Sequence, residues 1–278
     1  MAMSGAVSGT SSSAAFRGIY VSSGLTNIGD VTGNTIGSMS ATGSITFTSS
    51  SSSSSDVIAI FNFGSSNWTT NNNNIGGFTV SNSSTGAVGF YALRCNTGSG
   101  VTWTCNANTI GGTITNSINN TCTATGSISN GIKNDNPIGT FTSNIIRNMT
   151  IAGGTGTTTS ASMVGICINT SSANQTISQN TIFNLSNSNT SAATVVTGIQ
   201  FTGSTANVVA RNLIYGLTSA TNSTSAEING IRVAGGTTTY RNNMIALGAG
   251  VTTAIGSAAS NSGTTGIVGI NEALGTDN

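Results

Sequence analysis

The sequence predicts an all-β solenoid, a parallel β-helix of about seven to eight coils with about 31–39 residues per coil, on three observations. First, Asn followed two residues later by Ile recurs at Asn34/Ile36, Asn73/Ile75, Asn108/Ile110, Asn144/Ile146, Asn180/Ile182, Asn212/Ile214 and Asn243/Ile245, at intervals of 39, 35, 36, 36, 32 and 31 residues. Second, Gly followed by an apolar residue recurs at Gly89-Phe90, Gly131-Ile132, Gly165-Ile166, Gly198-Ile199, Gly230-Ile231 and Gly266-Ile267. Gly18-Ile19 is its earliest copy, and Val57-Ile58-Ala59-Ile60 stands in for it in the first full repeat. Third, apolar residues near these landmarks alternate with period two, as in Ile166/Ile168, Ile199/Phe201 and Ile231/Val233, which is strand periodicity. Abundant Thr, Gly and Ser with little Glu, Lys or Leu argues against a helical solenoid.

In chain order, residues 1–17 read as a leader or N-terminal cap and residues 18–278 as one β-helix domain, with the first strand at Gly18-Ile19-Tyr20-Val21. With each Asn as origin, a core column falls three residues earlier: Val31, Thr70, Cys105, Phe141, Ile177, Val209 and Tyr240. A second falls five residues later: Met39, Phe78, Thr113, Met149, Leu185, Leu217 and Gly248. Each coil then holds about three short strands, none able to bury its apolar residues alone, so stacking must complete the core. The repeated Asn has two expected tasks: to adopt the left-handed conformation of a tight bend, and to hydrogen-bond to its equivalents in a ladder. Length variation and low-complexity sequence concentrate between the Asn and the next Gly landmark, as at Ser49 to Ser55 and Thr115 to Asn130, so loops are expected along one edge.

The near-neutral balance, seven basic and six acidic residues in 278, leaves no basic patch for nucleic acid. No apolar run approaches membrane-spanning length, so no membrane insertion is expected. Only 5% of residues are charged, which suits an extracellular or cell-surface setting, the chain being read as a mature or excised fragment without its signal peptide. With no His, a zinc site would need Cys95, Cys105, Cys122 and Cys167 together, and they are spread over three repeats. Cys105 reads as a core residue, while a Cys95–Cys105 disulfide stays open.

The Asn-x-Ile bend, the Gly-Ile-x-Val strand and the coil length, over roughly residues 18–270, resemble the right-handed parallel β-helix proteins of the pectate lyase-like superfamily. They are also similar to low-charge β-helical stretches of bacterial secreted and cell-surface proteins. The resemblance implies a right-handed coil. The enzymes of that superfamily cleave polysaccharides with clustered Asp residues, or with acidic calcium ligands and an Arg or Lys base. Here the six acids, Asp30, Asp56, Asp135, Glu227, Glu272 and Asp277, fall at no equivalent places in adjacent coils. Neither catalysis nor a metal or other cofactor is expected, and Asp135 beside Lys133 reads as a solvated pair.

Two outward files flank the core column before each Asn. One holds Asp30, Thr69, Thr104, Thr140, Thr176, Val208 and Thr239; the other holds Thr32, Asn71, Asn106, Thr142, Ser178, Ala210 and Arg241. Thr69, Asn71, Thr104, Asn106, Thr140, Thr142, Thr176, Ser178 and Thr239 are the candidate surface-binding residues. A further column, Tyr91, Lys133, Cys167, Gln200 and Arg232, reads as ordinary solvated surface, and Trp68 and Trp103 either stack on a sugar or pack inside. The leading expectation is a non-catalytic extracellular structural or adhesive module: a stalk, adhesin segment or filament subunit. An ice-binding protein is the alternative, since flat Thr arrays resemble antifreeze surfaces, and a degenerate polysaccharide-binding or -cleaving β-helix is the third. The corresponding partners are a glycan, an ice or water lattice, or a second copy of the chain.

Overall fold

The computed structural model describes residues 14–98, 100–155, 161–223, 225–248, 266–272 and 275–277, with backbone alone for 14–15 and 275–277. Over these residues the chain winds as a parallel β-solenoid without a helix, in three sheets of eight, eight and ten strands. A middle coil shows the path: Met163–Ile168 in the first sheet, Thr176–Ser178 in the second, and Thr181–Asn187 in the third. Each strand pairs with its equivalent one coil away, as Met163–Ile168 does with Val195–Phe201. The chain makes about six turns, slightly fewer than the seven or eight expected. Seven Asn landmarks bound only six turns, and the coil at either end is stacked on one side.

The two sequence landmarks meet in the core. Ile146, Ile182 and Ile214 are fully buried, and each packs against the Gly landmark of its own coil's neighbourhood. A Cβ on Gly131, Gly165 or Gly198 would lie 2.8, 2.7 and 2.7 Å from the Cγ2 of Ile146, Ile182 and Ile214 respectively. In these coils Gly makes room for the Ile of the bend and for the next Gly carbonyl, 2.6–2.7 Å from the same Cβ position, whereas Ala59 and Ala92 hold the file in the earlier coils.

The bend itself corrects one expectation. The left-handed residue is the one before six of the seven ladder Asn: Asn72 (φ 59°), Ala107 (54°), Ser143 (57°), Gln179 (59°), Arg211 (56°) and Asn242 (52°). The ladder Asn instead turns its amide into the stack. Asn34, Asn73, Asn108, Asn144, Asn180 and Asn212 each donate from Nδ2 to the Oδ1 of the next member, ending at Asn243, over 2.9–3.0 Å. The backbone N–H of each donates to that same oxygen, as Asn144 does to Asn180 at 3.0 Å. Nδ2 also caps a core-strand carbonyl one coil back; Asn144 donates to Cys105 O and Asn180 to Phe141 O, both at 3.0 Å. Buried amides can sit here because their donors and acceptors are used.

Register differs from expectation where coils carry insertions. In the first coil the core residue is Ile28, paired with Thr70, while Val31 is 92% exposed. The outward partner of Thr69 is accordingly Asn27, displacing Asp30. After the bend, Ile45 and Ile118 pair with Phe78 in place of Met39 and Thr113, because the chain at residues 38–44 and 111–117 loops out before the strand resumes. In the first sheet Leu93 is in register with Ile60 and Ile132, so the third copy of the landmark is Ala92-Leu93, not Gly89-Phe90. Similarly Ile270 pairs with Ile231, making Gly269-Ile270 the last copy in place of Gly266-Ile267.

Candidate functional site on the outer faces

With the interior closed, any site lies on the outside, and the three faces differ. The second sheet carries the expected files. Thr69, Thr104, Thr140, Thr176, Val208 and Thr239 are in register, as are Asn71, Asn106, Thr142, Ser178, Ala210 and Arg241. All but buried Ala210 are exposed or half-exposed. The members bond to one another along the axis: Thr69 Oγ1 donates to Asn27 Oδ1 (2.8 Å) and Thr142 Oγ1 to Asn106 Oδ1 (2.9 Å). The face is regular over four coils and is then interrupted by Val208, Ala210 and Arg241.

The first sheet's outer face is not the solvated surface expected. Tyr91, Cys167, Gln200 and Arg232 are buried, at 3%, 7%, 1% and 1% exposure. Ala161 lies over this face, its N–H donating to Gln200 Oε1 at 3.3 Å, and Ala161, Val164, Cys167 and Val195 form a small apolar cluster. Tyr91 is also out of file: it pairs with Asn130, and Arg94 occupies the place beside Lys133. Two carboxylates, unaligned in sequence, meet on that arginine. Arg94 Nη1 binds Asp56 and its Nε binds Asp135, both at 2.9 Å, and Lys133 lies 3.4 Å from Asp135. Arg94 and Lys133 both lie over the ring of Tyr91, 4.6 and 5.3 Å from its centroid. Burial pushes the Asp56 carboxyl above its ordinary range despite the pull of Arg94, and burial pushes the Tyr91 phenol up as well. Two carboxylates held on one guanidinium tie three coils together, each through its Oδ2, while Asp135 Oδ1 faces Lys133 and accepts from Asn169. Further along, Arg232 pairs with Glu227 at 3.1 Å, and burial lowers its pKa against that partner.

The third sheet bends outward at residues 148, 184 and 216, all left-handed: Asn148 (φ 52°), Asn184 (53°) and Gly216 (64°). A groove of about 740 Å³ follows this bend, with Asn148, Asn184, Ser186, Tyr215, Thr218 and Ala246 among its lining. Phe183 and Tyr215 stack beside it, ring centroids 4.8 Å apart and planes 4° from parallel. The composition gives little warning of this groove; its signal is the in-register pair Phe183/Tyr215 among polar neighbours.

Trp68 and Trp103 are not available to sugar. Both are buried and stack on each other at 4.9 Å, with Trp103 edge-on to Phe141 and its Nε1 donating to Thr70 Oγ1. The four cysteines are free and buried, so Cys95 and Cys105 form no disulfide. Burial pushes the thiols of Cys95 and Cys105 up to about 12 and that of Cys167 up to about 11. Among the described residues no three His, Cys, Asp or Glu side chains are grouped as metal ligands, and no helix is long and apolar enough to cross a membrane. No family model, curated protein or solved structure matches the chain.

Proposed function

We propose that the chain is a non-catalytic extracellular structural or adhesive module, a rod that presents its sides rather than a cleft that turns over a substrate. The observation that carries this reading is the unbroken run of amide bonds from Asn34 to Asn243. It fastens every coil to the next through the same contacts, which suits a spacer of fixed length. Eight rungs in the first sheet set that length at about 34 Å, taking ~4.8 Å per rise. The sides are almost uncharged, and the converging carboxylates Asp56 and Asp135 are both bound to Arg94, which favours a structural role for them over acid–base work. Sedimentation, electron microscopy and attachment to glycan- or cell-coated surfaces test the reading. It requires an elongated particle that adheres or self-associates; an inert monomer with no affinity for glycans, cells or itself contradicts it.

Ice binding is a second reading, favoured by the four in-register residues Thr69, Thr104, Thr140 and Thr176. Against it, some of the hydroxyl and amide groups of this face are spent on each other. Thermal hysteresis that disappears in Thr140→Lys and Thr176→Lys supports it; absence of hysteresis in the unmutated chain ends it.

A further inference from the structure

The groove on the third sheet arises because three axial files run out together. The aromatic file runs Arg147, Phe183, Tyr215, Ala246 in register, so the stack of rings ends where Ala246 follows Tyr215. Phe183 covers one face of the Tyr215 ring, and the other face looks onto the rung of Ala246, which carries only a methyl group. The amide file runs Asn148, Asn184, Gly216. Asn184 Nδ2 donates to Asn148 Oδ1 at 3.0 Å, as one more ladder step, but Gly216 supplies no amide for the step after it. The carboxamide oxygen of Asn184 lies directly over Gly216, 2.7 Å from where a Cβ would stand, and accepts no hydrogen bond from the described residues. The hydroxyl file runs Thr150, Ser186, Thr218; Thr150 and Ser186 are bonded at 2.7 Å, and Thr218 is the last member in register among the described residues.

One place therefore offers a bare aromatic face, an unfilled amide acceptor and a terminal hydroxyl, with no charged side chain in the lining. We propose that this groove binds a neutral glycan running along the solenoid axis, with a pyranose ring on the open face of Tyr215 and its hydroxyls at Asn184 and Thr218. The sugar supplies the missing rungs. A pyranose has the needed pair of surfaces, a C–H face that stacks on an aromatic ring and a rim of hydroxyls that bond to amides and hydroxyls. A nucleotide would bring phosphate to a groove that holds no cation, and an anionic sugar chain would bring carboxylates to the same uncharged walls. The inference stands on the groove alone; a rod that serves only as a spacer leaves it empty.

Calorimetric titration of the whole chain with cellohexaose, mannohexaose and chitohexaose, with hexagalacturonate as the anionic counterpart, tests it. At least one neutral hexaose should bind, and more tightly than hexagalacturonate. Tyr215→Ala should weaken that binding by about tenfold or more. Gly216→Asn and Ala246→Phe fill the missing rungs from the protein side; Asn tolerates the left-handed φ at 216, but its Cβ would stand 2.7 Å from Asn184 Oδ1, so that side-chain end must swing aside. The melting temperature should then change little while binding falls by about the same factor. Should Tyr215→Ala unfold the chain, the two filling variants still decide. No binding of any neutral hexaose, tighter binding of hexagalacturonate, or binding unchanged in Gly216→Asn and Ala246→Phe overturns the proposal.

Discussion

The side chain of Asn144 shows how much one residue carries in this fold. Its Oδ1 accepts from the backbone and the amide of Asn108, and its Nδ2 donates to Cys105 O and Asn180 Oδ1, all in the buried interior. Removing it strands several partners at once, so Asn144→Ala should cost about 3–5 kcal/mol in urea unfolding, against about 1–2 kcal/mol for Asn34→Ala at the exposed end. The left-handed residue beside it works the other way. Ala107 is held at φ 54° without the freedom of Gly, so Ala107→Gly should raise stability, by up to about 1 kcal/mol. Buried thiols make a third expectation at this scale. With Cys95 and Cys105 pushed up to about 12 by burial, the folded chain holds these two thiol protons above pH 9, where the same thiols, near 9.0 in the unfolded chain, release them. The unfolded state then binds fewer protons, so their contribution is complete below about pH 9 and falls as pH climbs toward 12. A thiol reagent at pH 8 should leave the folded protein unlabelled and modify it only once denatured; rapid labelling of native protein contradicts that burial.

At the scale of the strand and bend, the Gly of the later coils answers to the Ile and to the neighbouring Gly carbonyl that it faces. A methyl group on Gly198 would meet Gly230 O at 2.6 Å and Ile214 Cγ2 at 2.7 Å, whereas on Gly203 its nearest neighbour is 3.4 Å away. Gly198→Ala should therefore lower stability by about 1–3 kcal/mol and Gly203→Ala should change it little, read from thermal or urea midpoints. The same contacts explain what was legible in the sequence. Ile, Gly and the ladder Asn recur because each touches its own copies and one another, so the period, the inward columns and the outward Thr file of the second sheet could be read directly. The first coil could not: six residues separate core Ile28 from Asn34, where three separate Phe141 from Asn144, and counting back from the Asn lands on exposed Val31. Ala92 hid its coil's landmark because alanine also fits that file, which left Gly89 as the visible candidate. The meeting of Asp56 with Asp135 was hidden for another reason. They lie two coils apart, and the reach of Arg94 joins them; a grid of equivalent positions has no place for side-chain length. The groove was illegible because it is made of absences, at Gly216 and Ala246, beside residues unremarkable in so polar a chain.

Across the whole molecule, a continuous core and a continuous amide ladder make neighbouring coils depend on each other, as in other one-dimensional arrays. Such a body holds its sides in fixed register. The proposal is that those sides bind and do not convert. The direct measurement incubates the chain with a panel of neutral and acidic polysaccharides and follows two quantities together: protein retained on the polymer, and chain ends released from it. Retention on at least one polymer with no release of ends is the predicted result. Release of ends by the unmutated chain, lost in Asp135→Asn, contradicts the account.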